Sequence, residues 1–235
     1  KETNGSFDVS TNSDGLRTPL HDRVKAEGVL REVGCREVSH VPPGVDMEDL
    51  QGARPEAARS RYGLGDRPWV VYAGNPDHYQ DLEYLVDAVA MSSDLGLLMV
   101  SHSDMPALEA RAAGIPGERK RFVKTPSWDE TRSLIAAADV AAIPRTRCSG
   151  YPIKLLNFLG LGLPVVCARG SARDLPGVVT VENGDVLGLH ASLEALCADP
   201  VGRAALGETA RQHVAENCDW QARARELEQV YAQLL

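Results

Sequence analysis

The stretch of this sequence best suited to chemistry is Pro144-Arg145-Thr146-Arg147-Cys148-Ser149-Gly150-Tyr151-Pro152, with Lys154 two residues further on. It follows the apolar run Val140 to Ile143 and leads into an apolar helical run from about Ile153. Two arginines, a glycine and a lysine at a helix start have the composition of an anion site. Backbone N–H groups and the helix dipole point at the ligand while the cations neutralise it. The same arginines could instead be solvated loop charges, Lys154 could lie on its helix surface, and Gly150 could serve only the turn. Asn157 sits in the apolar turn Leu155-Leu156-Asn157-Phe158-Leu159, where a polar side chain wants a hydrogen-bonding partner that a ligand could supply.

Three other turns end strand-like runs and carry polar groups: Gly74-Asn75-Pro76-Asp77-His78-Tyr79-Gln80, Ser101-His102-Ser103-Asp104, and Lys124-Thr125-Pro126. His102 is a candidate acid or base, or a polar loop histidine. Tyr79 either meets a ligand or packs on the helix that follows. His21, His40, His190 and His213 carry no pattern. The first of these turns has no G-x-G-x-x-G, and G-x-x-x-x-G-K-[ST] is absent throughout, which argues against a dinucleotide dehydrogenase and a P-loop nucleotidase. No carboxylate pair is spaced to hold a metal, so no metal and no cofactor is expected.

Something must position these turns, and the pattern between them is repetitive. Strand-like Trp69–Ala73, Leu97–Val100, Arg121–Lys124, Val140–Ile143, Pro164–Cys167 and Val178–Val181 alternate with helical runs at Asp81–Ser92, Met105–Ala113, Ser127–Ala138 and from Ile153. Ser127 followed three residues on by Glu130 reads as a capping box. Alternating strand and helix predicts an α/β, Rossmann-like parallel sheet with helices on both faces, whose ligands bind outside the carboxyl ends of the strands. The flanks differ. Residues 1–46 hold strand-like Phe7–Thr11 and Val38–Val41 around a polar helical stretch, too little to make a core. Residues 47–65 are polar and read as a linker plus a short helix. Helices follow at about Val201–Asn217 and Trp220–Leu235, the last with a stripe of Trp220, Leu227, Val230, Tyr231 and Leu234.

Composition narrows the class. Of 235 residues, 43% are hydrophobic and 25% charged, which excludes a disordered or collagen-like chain. Twenty-five basic against 33 acidic residues give a net charge of −8, which argues against a broad nucleic-acid surface. The runs Leu95–Val100 and Pro164–Ala168 are too short to span a bilayer, and no leader-like segment is seen. Five widely separated cysteines without a C-x-x-C argue against a zinc site or disulfide framework and fit a reducing cytoplasm. Cys148 has its plain reading as a small loop residue.

The segment Ser149-Gly150-Tyr151-Pro152-Ile153-Lys154-Leu155-Leu156-Asn157-Phe158-Leu159-Gly160-Leu161-Gly162-Leu163-Pro164-Val165-Val166 resembles the signature of family 4 glycosyltransferases of the GT-B fold. Val41-Pro42-Pro43-Gly44-Val45-Asp46 is similar to the family's interdomain motif, and Val71-Tyr72-Ala73-Gly74 with Tyr79-Gln80-Asp81-Leu82 to the first strand and loop of its donor domain. Asp219-Trp220 through Tyr231 is similar to its closing helix. These stretches occur in the family's order and span residues 8–235. A subgroup with YQ and PRxxxGxPxK wording is closest.

The resemblance implies the donor-binding half of a retaining glycosyltransferase that uses a nucleotide-diphosphate sugar. Arg145 and Lys154 would be the catalytic-region cations on the diphosphate. Gly74, Asn75, Tyr79, Gln80 and His102 would line the donor site. Ser149, Gly150 and Tyr151 would meet sugar and phosphates, Asn157 the ribose hydroxyls, and the main chain near Val123 and Lys124 the base. It also implies domain bounds: 1–46 as the end of an acceptor domain, 47–65 as linker, 66–218 as donor domain and 219–235 as crossing helix. The partners implied are the donor, the acceptor domain and no nucleic acid. A place in polysaccharide or glycoconjugate biosynthesis follows, with the acceptor domain at the inner membrane face, and an isolated half is expected to bind donor without turnover.

The departures are specific. Ser149 and Asn157 stand where the family has two glutamates, and Asn75 and Gln80 where it has Arg and Lys. Hydrogen bonding is kept and charge is lost, so a non-catalytic nucleotide-binding module and a sugar-nucleotide epimerase stay open as alternatives.

Overall fold

The computed structural model describes residues 23–35, 38–148 and 150–233. The strand-like run Phe7–Thr11 lies outside them, as do Ser149 and Leu234. Helices α1 (Arg23–Glu32), α2 (Met47–Leu50) and α3 (Pro55–Tyr62) come first. Then follow β1 (Trp69–Ala73), α4 (Leu82–Ala90), β2 (Gly96–Ser101), α5 (Pro106–Arg111), β3 (Lys120–Lys124), α6 (Trp128–Ala136) and β4 (Val140–Ile143). The chain continues through α7 (Ile153–Gly160), β5 (Val165–Ala168), β6 (Val178–Val181), α8 (Val186–Ala198), α9 (Pro200–Asn217) and α10 (Trp220–Ala232).

The six strands form one sheet in the order β3-β2-β1-β4-β5-β6, every neighbouring pair parallel. This is the Rossmann-like architecture that the alternation predicted. Because side chains alternate along a strand, β1 feeds both faces. Trp69, Val71 and Ala73 join one core with α6, α7 and α9, and Val70 and Tyr72 join the other with α4, α5 and α8. All of β1, β2, β4 and β5 is buried, as expected of parallel strands covered on both faces.

The strand order reverses between β1 and β4, which start connections running to opposite edges of the sheet. Turns leaving their carboxyl ends therefore diverge and leave a crevice, the place where open α/β sheets bind ligands. The residues singled out above fall largely on those two turns.

Several expectations are corrected. Val38–Val41 is not a strand; instead Val45 makes a lone parallel bridge with Asp219. Residues 47–65 hold two helices rather than one, and bury Leu50, Ala58 and Leu64 against the main core. The expected run Met105–Ala113 ends its α-helix at Arg111 and finishes in a 3-10 turn. Helix α8 was not expected at all. On α10, Trp220, Leu227 and Tyr231 of the apolar stripe are exposed, with Trp220 at 55% and Tyr231 at 58%, while Val230 is half-buried. The Ser127 cap is confirmed on one side: its hydroxyl accepts from the Glu130 backbone N–H at 3.3 Å. The Glu130 side chain is engaged elsewhere, accepting from the Tyr62 hydroxyl at 2.5 Å.

Candidate functional site

Lys154 enters on the first turn of α7 and reaches back across the switch point to β1. Its ammonium donates to the Tyr72 hydroxyl at 2.7 Å and to Gln80 Oε1 at 3.1 Å. It also lies 4.5 Å from the centre of the Tyr72 ring. Tyr72 passes its own proton on, donating to the Asn75 carbonyl at 2.7 Å. Burial, followed by repulsion from Arg145, lowers the Lys154 pKa from 10.5 to about 8. Burial also pushes the Tyr72 phenol well above its usual range, so it stays protonated.

The turn after β1 is built to admit that ammonium. Gly74 has φ +149, and a Cβ there would meet Lys154 Nζ at 2.9 Å and the Tyr72 hydroxyl at 3.1 Å. Asn75 organises the rest: its side-chain amide donates to Asp77 Oδ2 at 2.6 Å and to the Tyr79 hydroxyl at 2.8 Å, and its Oδ1 accepts from Gln80 Nε2 at 2.9 Å. Gln80 is buried. Tyr79 in turn supplies the face for Arg145, whose guanidinium carbon lies 4.7 Å from the ring centre. Arg145 Nε donates to the Arg147 carbonyl at 2.5 Å, while the Arg147 side chain is exposed.

A cavity of about 340 Å³ opens beside this network. Gly74, His102, Lys154 and Asn157 line it, together with Ser101, Thr125, Pro126 and Trp128. Among the described residues, no side chain hydrogen-bonds the Asn157 amide, and neither Lys154 nor Arg145 has a carboxylate in salt-bridge range. Two cations at a ligand crevice thus hold only neutral partners.

The expected site residues therefore separate. Gly74, Asn75, Tyr79, Gln80, Arg145 and Lys154 form one connected network, and His102 and Asn157 join Lys154 and Gly74 around the cavity. Gly150 and Tyr151 do not line the cavity and are held by Arg173: the Gly150 carbonyl accepts from Arg173 Nη2 at 2.9 Å, and Arg173 lies 5.4 Å from the Tyr151 ring centre. Val123 points into the core, and Lys124 is paired with Asp104 at 2.7 Å. Their neighbours Thr125 and Pro126 line the cavity instead. Ser149 lies outside the described residues.

Sequence reasoning missed Tyr72, Asp81, Ser171 and Arg173. Tyr72 looks like any core residue of a buried strand; only the adjacent glycine hinted that its hydroxyl end was different. Ser171 is fully buried and donates to the Arg145 carbonyl at 2.7 Å, and Gly170 is packed so closely on the Thr146 carbonyl that no Cβ fits.

This arrangement has relatives. The family described as Glycosyl transferases group 1 matches residues 67–199, more than half of the chain, and the chain belongs to it. The GDP-mannose-dependent alpha-(1-6)-phosphatidylinositol monomannoside mannosyltransferase of Mycolicibacterium smegmatis is 33% identical over 210 residues, covering 81% of this chain and 55% of that one. A similarly named enzyme of Corynebacterium glutamicum, acting on the monoacylated monomannoside, is 30% identical over 202 residues, covering 77% and 52%. The Anabaena HepE structure in complex with UDP superposes with a TM-score of 0.77 at 15% identity, over 90% of this chain and 62% of that one. The chain spans about half the length of the curated relatives it matches.

Proposed function

We propose that this domain binds a nucleotide-diphosphate sugar and is the donor half of a retaining glycosyltransferase. The observation that carries this reading is a pair of cations at the switch point, Lys154 and Arg145, neither of which makes a salt bridge among the described residues. Each is held by neutral groups; Lys154 lines the cavity of about 340 Å³, and Arg145 stacks on Tyr79 in the same hydrogen-bonded network. As the bond from sugar to β-phosphate breaks, negative charge grows on the departing oxygen while the sugar becomes cation-like. Fixed ammonium and guanidinium groups stabilise that charge without reorganising. In an intact enzyme the loss of one such group is expected to cost on the order of 2.7–4 kcal/mol in the rate-limiting barrier.

Two similar proteins are named as GDP-mannose-dependent, so GDP is the diphosphate expected to bind most tightly and mannose the sugar. Their named acceptors are phosphatidylinositol mannosides, which makes a membrane-borne glycoconjugate the acceptor class to try first. Asn157 is the side chain proposed to meet the ribose: it lines the cavity, no described side chain bonds its amide, and the resemblance implies a ribose-binding side chain at this position.

A calorimetric titration with GDP, UDP, ADP and inorganic pyrophosphate tests the reading. Lys154→Ala and Arg145→Ala should weaken all ligands, whereas Asn157→Leu should weaken the nucleotides and leave pyrophosphate unchanged. Equal binding by wild type, Lys154→Ala and Arg145→Ala removes the diphosphate assignment.

A second reading, donor binding without transfer, is favoured by the neutral Asn157 in a position where the family carries a glutamate. Sugar transfer or donor hydrolysis by a chain that includes an acceptor domain would dismiss it. An epimerase would need an acid or base facing the sugar; of the expected residues around the cavity His102, which is exposed, is the candidate for that role.

A further inference from the structure

Asp81 is the one non-glycine residue at positive φ among the described residues, at φ 55, ψ 35. It precedes α4 yet makes no side-chain cap bond to that helix. Glycine would suit this backbone better, since a left-handed conformation brings an L-residue's Cβ against its own carbonyl. The side chain is instead turned across the crevice. Its Oδ2 accepts from both the backbone N–H and the hydroxyl of Thr146, each at 2.7 Å.

We infer that Asp81 is a positioning residue, a carboxylate tether that binds the turn after β1 to the turn after β4 and thereby aims Arg145. This rests on the diphosphate reading of the site above. The residue after Arg145 is the one tethered, so the arginine's backbone is fixed from one side by Asp81 through Thr146. Ser171 fixes it from the other by donating to the Arg145 carbonyl. Gly170 closes the space behind Thr146. With its backbone so held, the Arg145 side chain needs only the Tyr79 face and the Arg147 carbonyl to keep its direction. Charge-assisted hydrogen bonds from a carboxylate are strong enough to hold a turn that no secondary structure supports.

The test sets Asp81→Gly against Asp81→Asn, read by GDP and UDP calorimetry and by hydrogen exchange at the Thr146 amide. Glycine relieves the strain at this φ but loses two charge-assisted hydrogen bonds and adds unfolded-chain entropy, so Asp81→Gly should melt somewhat lower than the wild type while still folding cooperatively. Its Thr146 amide should nevertheless exchange freely, and diphosphates should bind about tenfold more weakly. Asn tolerates the same backbone and keeps one acceptor oxygen, so it should fall between the two. Thr146→Ser, which keeps the hydroxyl, should bind as the wild type does, and Thr146→Val should not. In Asp81→Gly/Arg145→Ala the loss should be no larger than in Arg145→Ala alone, whereas losses combined with Lys154→Ala should add. Unchanged protection of the Thr146 amide in Asp81→Gly, or full additivity with Arg145→Ala, overturns the tether. A wild type that binds no diphosphate would defeat the reading of the site itself, and the Thr146 exchange would still decide whether Asp81 holds the loop.

Discussion

The Lys154 ammonium lies 2.7 Å from the Tyr72 hydroxyl and 4.5 Å from the centre of the same ring, so one tyrosine gives it both an oxygen acceptor and a π face. The hydroxyl's proton goes to the Asn75 carbonyl, which leaves its lone pairs for the lysine. Neither partner carries a full negative charge. The cation is oriented but not neutralised.

Burial, and then repulsion from Arg145, leave its proton loosely held, with a pKa of about 8. A bound phosphate would raise that value. Once the terminal phosphate is fully ionised, above about pH 7, diphosphate affinity should hold until the lysine begins to titrate and fall by up to about tenfold per pH unit above pH 8, because the free protein must then be protonated to bind. Calorimetry at pH 8.5 in buffers of different ionisation enthalpy should show proton uptake. Lys154→Arg, which does not deprotonate, should abolish both effects if it binds.

The same lysine should limit stability. Its folded pKa lies below its unfolded one, so the unfolded chain binds more protons between about pH 8 and 10.5, and wild-type stability rises across that window. Below pH 8 the penalty is present in full. Lys154→Met keeps the stem and removes the charge, and should stabilise the fold at pH 7 by on the order of 1–3 kcal/mol. The gain should shrink toward pH 10.5 in denaturant titrations, and a Met variant less stable than wild type at pH 7 would contradict it.

Gly74 is constrained twice, by its φ of +149 and by the atoms its Cβ would meet. Gly74→Ala should cost about 1–3 kcal/mol in stability and also displace the ammonium. Thermal melts and GDP titrations together check this, since a variant that merely strained its own turn would melt lower and bind normally.

The sheet was legible because apolar runs bounded by turn residues have few other uses: β1, β4 and β6 run as the sequence predicts. Helix α8, VLGLHASLEALCA, escaped because its apolar residues surround it rather than forming a stripe; only Leu189 and Leu193 are buried. Val38–Val41 misled for the opposite reason, valines at both ends of a run that pairs with no strand among the described residues. In the site, Lys154, Arg145 and the β1 turn could be picked out by charge and glycine. Tyr72 and Asp81 could not, since a strand tyrosine at 0% exposure reads as core and an aspartate before a helix reads as its cap.

Gly170 touches no part of the cavity, yet its missing side chain is what lets the Thr146 carbonyl settle where it does. Tolerance to mutation here will therefore not track distance from the ligand. A library aimed at changing what the cavity accepts must leave position 170 alone, because a methyl group there would push the Thr146 carbonyl, and with it the Arg145 turn, from behind.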